Sequence, residues 1–122
     1  MPPWDDTVER EKPNMPSAVI RSGICGFTTR ATAHCEDAAR VALKIESDCP
    51  NYQKVAEQLH EVDAFQEIFI DKFEGMVWKV CAQYSPHISC PVPVGLLKLI
   101  EVAAGLALPQ TASIEIRSSD IV

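Results

Sequence analysis

Cysteine and histidine are the residues of this chain best equipped for chemistry: Cys25, Cys35, Cys49, Cys81 and Cys90, with His34, His60 and His87. Two of the thiols share a setting. Cys90 precedes Pro91 and Cys49 precedes Pro50, and proline directly after a cysteine fits the first turn of a helix. Backbone N–H groups and the positive dipole end at such a position favour a thiolate. Cys25 lies between Gly23 and Gly26 in "GICGF". Cys81 falls in a helical apolar stripe and Cys35 on the apolar side of an alternating run; both read as small buried hydrophobes.

The elements that carry these thiols decide which of them can meet. "SAVIRSG" and "FTTRATAHC" read as strands, with a bulge or close backbone approach at the two glycines. "EDAA" supplies a turn and "RVALKIES" alternates again, so the runs make a long hairpin with one buried face. With that turn Cys35 faces Arg40. Extended past the bulge, the register sets Cys25 beside Cys49 or Pro50 at the hairpin's open end. Cys35, ten residues from Cys25, lies roughly 30 Å away along the strand.

The helices follow. "DCPNYQKVAEQLHEV" is expected to be the first, capped by Asp48 or Cys49, with Tyr52, Val55, Leu59 and Val62 as its apolar stripe. Asp63 and Gln66 form a capping pair for a short turn, "AFQEIF"; Asp71 and Glu74 repeat the signal for a helix striped by Phe73, Met76, Val77, Val80, Cys81 and Tyr84. A last helix starts after Cys90 and ends near Gly105. "ASIEIR" alternates and is expected to close the sheet. The order β-β-α-α-α-β gives an α+β fold, a small antiparallel sheet with three helices on one face. Residues 1–16, with four of the nine prolines, read as a flexible arm, 17–117 as the domain and 118–122 as a tail.

Composition narrows the function. The chain has 122 residues and a formal net charge of −6, which repels a phosphate backbone and argues against a nucleic-acid partner. The most apolar stretch, 88–109, is broken by Pro91, Pro93, Gly95, Lys98, Glu101 and Gly105, so it is not a membrane span. The first residues lack the apolar core of a secretion signal. A cytoplasmic protein with reduced thiols is expected, since five cysteines without an export signal do not make a disulfide framework. "GICGF" has no helix after it and is not a dinucleotide fingerprint; no phosphate-binding loop, HExxH or nucleophile elbow occurs.

Cys25, Cys49 and Cys90 are thereby expected at one rim of the sheet, with His87 as a fourth ligand, water or substrate being the alternatives. Three thiolates suit zinc or three corners of an iron–sulfur cluster. Glu46 and Asp48 beside Cys49 help hold a cation, and Thr28 and Thr29 lie within reach of the same end. The competing reading is three separate buried thiols or caps. His34 and His60 are expected in solvent.

With these residues in view, "GICGFTT", "IESDCPN", "VDAFQEIF" and "HISCPVPVGLLKLIEVAAGLALP" together resemble a family of small uncharacterised proteins from anaerobic bacteria and methanogenic archaea. The resemblance covers residues 17–117 and implies a setting suited to oxygen-sensitive thiolate chemistry, without implying an activity. Cys90, Pro91, Val92 and Pro93 also resemble the Cys-Pro-x-Pro motif of TusA-related sulfur carriers, whose cysteine accepts and donates persulfide sulfur. There the motif follows the first strand, whereas here it opens the last helix.

Three functions are therefore in play. The leading one is a metal or cluster protein built on Cys25, Cys49, Cys90 and His87. The second is a sulfur carrier or transferase with Cys90 as the reactive group. The third is an interaction module, in which the 88–109 stretch and Trp4 serve a protein partner or a homodimer. Whether the protein is an enzyme stays open.

Overall fold

The fold is seen in a computed structural model that describes residues 15–37, 39–70, 73–85 and 87–118. Most of the expected arm, Trp4, Asp71 and most of the expected tail lie outside the described residues. The α+β class holds. Four antiparallel strands, β1 (Ser17–Arg21), β2 (Thr28–Asp37), β3 (Arg40–Ser47) and β4 (Glu61–Asp63), lie in the order β1-β2-β3-β4. Helices α1 (Pro50–Gln58), α2 (Ala64–Ile68), α3 (Met76–Tyr84) and α4 (Val92–Ala103) complete the domain. Among the described residues no helix is long and apolar enough to cross a membrane.

Period-two patterning puts one sheet face inside. Ile20, Ala31, Ala33, Val41, Leu43 and Ile45 are buried, while their neighbours along each strand are more accessible. Thr29 joins that inner row fully buried; its hydroxyl and that of Ser47 lie 2.8 Å apart in a hydrogen bond, which removes the cost of burying it. Helix α1 packs on β3 and α4 on β1 and β2. Val92, Leu96 and Ile100 of α4 are completely buried, each contributing roughly 2 kcal/mol of apolar burial. A Cβ on Gly95 would sit 2.5 Å from Cδ1 and Cγ1 of Ile20, so glycine is what lets the helix approach β1 so closely.

The caps are specific. The Asp63 carboxylate accepts from the N–H groups of Phe65 and Gln66 at 2.9 and 3.2 Å, as the capping pair led one to expect. Helix α3 is capped from a distance: Glu67 accepts from the N–H groups of Met76 and Val77, both at 2.8 Å. At the end of α4, Gly105 (φ 76°) and Leu106 donate to the carbonyls of Val102 and Glu101, which satisfies the last carbonyls in a Schellman motif.

Four expectations are corrected. First, the glycines mark a reversal and not a bulge. With φ of 95° and 77°, Gly23 and Gly26 turn the chain, and bonds from Gly26 N to Gly23 O and from Ser22 N to Phe27 O close a hairpin between β1 and β2. Second, the β2–β3 register is one residue later: Cys35 pairs with Val41, because an irregularity between Cys35 and Asp37 adds a residue beside the turn. Third, α1 stops at Gln58. Val62 of its expected stripe belongs to β4, which pairs with Val41; the three-residue strand is too short to break a helical pattern visibly. Fourth, "ASIEIR" forms no strand. The position beside β3 is taken by β4, which follows α1 directly, and among the described residues β2 is the strand that pairs with β1.

Candidate functional site

The four residues expected to share a metal are distributed differently. The β1–β2 reversal carries Cys25 into solvent. Cys49 is the N-cap of α1, as expected, but its side chain makes no cap bond and is buried at 8% exposure. Its N–H donates to the Ser47 hydroxyl at 3.0 Å. Asp48 turns to β2, its carboxylate accepting from Thr28 N at 3.3 Å, and so does not cap the helix. His87 is exposed in the loop between α3 and α4. Among the described residues no group of three or more His, Cys, Asp or Glu side chains could hold a metal ion. The rim cluster of Cys25, Cys49, Cys90 and His87 is thus not assembled.

Cys90 has other company. It lies half-buried one residue outside Pro91, the N-cap of α4. The loop that presents it is tied to the end of α3. Ser85 donates its N–H to the carbonyl of Cys81 at 2.7 Å and its hydroxyl to the carbonyl of His87 at 3.0 Å; Cys90 N donates to that same carbonyl at 3.4 Å. From below comes Tyr52 of α1, 1% exposed. Its hydroxyl is buried and has no hydrogen-bond partner that meets ordinary geometry among the described residues. The side chains of Cys90 and Ser85 are nonetheless close enough to bias its proton. Burial first, then Cys90, drives the Tyr52 pKa well above the ordinary value of 10.0, and Ser85 opposes them.

Cys81 of α3 completes the group. Burial pushes its thiol up to about 12, helped by the charges of Cys90 and Glu67. It stays a neutral thiol at any physiological pH. The site is therefore a junction of three helices: a phenol from α1, a buried thiol and a hydroxyl from the end of α3, and a half-exposed thiol ahead of α4.

Sequence reasoning singled out Cys90 and missed its neighbours. Tyr52 and Cys81 fall in apolar stripes, where their burial is as expected. The signal for Tyr52 is chemical: a tyrosine in a fully buried stripe carries a hydroxyl that needs a partner.

The profile of a family of unknown function (DUF6951) matches residues 17–116. That span takes in the whole sheet, all four helices and the three-helix junction. No curated protein and no solved structure matches the chain.

Proposed function

The chain belongs to this family of unknown function, and we propose that it is a thiol-based sulfur carrier whose working group is Cys90. The observation that carries this reading is the buried Tyr52 hydroxyl, which meets no ordinary hydrogen-bond geometry yet lies beside the half-exposed Cys90 thiol. A neutral thiol is a weak acceptor for a buried hydroxyl. An anionic sulfur at Cys90 is a strong one, so the pair is matched to a sulfur that becomes anionic during use.

The chemistry is an exchange of sulfane sulfur. The Cys90 thiolate attacks the outer sulfur of a donor persulfide, R–S–SH. The donor's S–S bond breaks as a new S–S bond forms to Cys90, and R–S⁻ leaves with the electron pair. Nothing is oxidised or reduced overall. Delivery is the same step with an acceptor thiolate attacking and Cys90 leaving as thiolate. Tyr52, holding its proton far above neutral pH, is a fixed donor to that leaving sulfur. Cys81 stays protonated and buried, so it does not compete for the cargo. The local Cys90-Pro91-Val92-Pro93 resemblance to sulfur carriers supports the same role.

Incubation with a small-molecule persulfide tests the reading. Cys25→Ser protein should load sulfur as the parent does, and Cys90→Ser protein should not. Equal loading by both variants would remove the proposal.

A further inference from the structure

Three of the four phenylalanines of this chain stand at its surface in one short stretch, from α2 to the start of α3. Phe65, Phe69, Ile70, Phe73 and Met76 are each between 43% and 66% exposed. Single exposed apolar residues need no account, but a group of five from one stretch of chain marks an interaction surface.

The group is held in place from below. Phe65 and Phe69, one helical turn apart on α2, stack with ring centroids 5.7 Å apart. Phe73 meets Trp78 of α3 edge-on at 5.0 Å. It does so at a φ of 65°, a left-handed conformation that a bulky side chain rarely adopts. Strain of this kind persists where the surroundings over-determine it, and it collects at binding sites. Glu67 of α2 grips the start of α3 through the N–H groups of Met76 and Val77. Gly75 lies so close to this grip that a Cβ there would meet the Glu67 carboxylate at 2.6 Å. Helix α2 and the start of α3 are thus one pre-set platform, and little order is lost when it is covered.

Size and charge point to a second copy of the chain as the cover. The five side chains offer roughly 500 Å² of apolar surface, against the ~800 Å² that a stable interface buries on each side. The polar rim is self-complementary. Glu74 and Lys79 are exposed on the cleft that Ile70 and Met76 also line. Among the described residues neither has an ion-pair partner. They flank Met76 in the chain, one on each side. A two-fold axis beside Met76 sets Glu74 of each copy opposite Lys79 of the other, the reciprocal match that an isologous interface requires. One acid and one base placed in this way suit a second copy better than a partner of a single charge sign.

We infer that the α2–α3 face is a two-fold interface between copies of this chain, with Met76 near the axis, the three phenylalanines covered and Glu74 paired with Lys79 across it. The Cys90 junction lies at the other end of α3, about 13 Å along the helix, so the dimer leaves it open in both copies.

Sedimentation equilibrium of the full chain tests this, with a mass twice the 13.4 kDa of one chain expected. Glu74→Lys should weaken the dimer by about tenfold or more, since it sets like charges across the axis, and adding Lys79→Glu should restore it. Phe73→Gly should also weaken it by about tenfold or more while the monomer stays folded, because glycine adopts that φ without strain. A parent chain that stays monomeric at high concentration overturns the inference and leaves the face to a different partner. So does a dimer left intact by either Glu74→Lys or Phe73→Gly. So does a charge-swapped double variant that keeps the parental circular dichroism and fails to regain the dimer.

Discussion

Tyr52 and Cys90 come from different helical regions and meet inside the domain, where the Cys90 side chain is, after burial itself, the chief influence holding the Tyr52 proton in place. This relation separates stability from reactivity. Tyr52→Phe removes a buried hydroxyl that meets no ordinary hydrogen-bond geometry and keeps the ring, so folding stability should change by no more than about 1 kcal/mol. Delivery of sulfur from loaded Cys90 to an acceptor thiol, the step in which Cys90 leaves as thiolate, should slow at the same time. Denaturant unfolding and single-turnover delivery read the two effects. A variant that loses stability and delivers at the parental rate would show that the hydroxyl serves packing alone.

The buried thiol of Cys81 makes stability depend on alkaline pH. Its folded value of about 12 lies above the ordinary 9.0, so between the two the folded state holds a proton that the unfolded state has lost. Its contribution is fully present below pH 9 and drains away as pH rises towards 12, with a slope approaching about 1.4 kcal/mol per pH unit. Tyr52, also raised, adds the same sign above its ordinary 10.0. Cys81→Ala should flatten the curve between pH 9 and 10, where the tyrosine contributes little, and only partly above that. Urea midpoints across this range, taken under reducing conditions, provide the check.

Close approach of α4 to the sheet rests on Gly95. A methyl there meets Ile20 at 2.5 Å, a distance that forces the helix or the strand to shift. Gly95→Ala should destabilise by about 1–3 kcal/mol, and Ile20→Ala in the same chain should recover part of the loss through non-additivity. Thermal and denaturant unfolding of the two single variants and the double variant measures the coupling.

Much of this architecture was legible because apolar spacing governs it. The inner rows of β2 and β3, the stripe of α1 through Leu59 and the α4 boundaries follow from periods of two and 3.6. What escaped depends on contacts between distant residues. Glycine spacing alone cannot tell a bulge from a reversal, and only a bulge in "GICGF" would set Cys25 next to Cys49. In the fold that same loop is a hairpin tip. β4 was hidden because three residues carry no readable period. Of the candidate site, Cys90 was visible from its proline context. Tyr52, Cys81 and Ser85 join it only through the packing of α1, α3 and the loop before α4, which no local pattern encodes.

The central claim is that Cys90, among five cysteines, is the sulfur acceptor. The most direct measurement is peptide-mapped mass spectrometry of the reduced, full-length protein after brief exposure to a persulfide donor. The account predicts one added sulfur, carried on Cys90, with Cys81 and Cys49 unmodified while the protein stays folded. Sulfur spread over the exposed thiols in proportion to their accessibility, with Cys25 loaded ahead of Cys90, would contradict it.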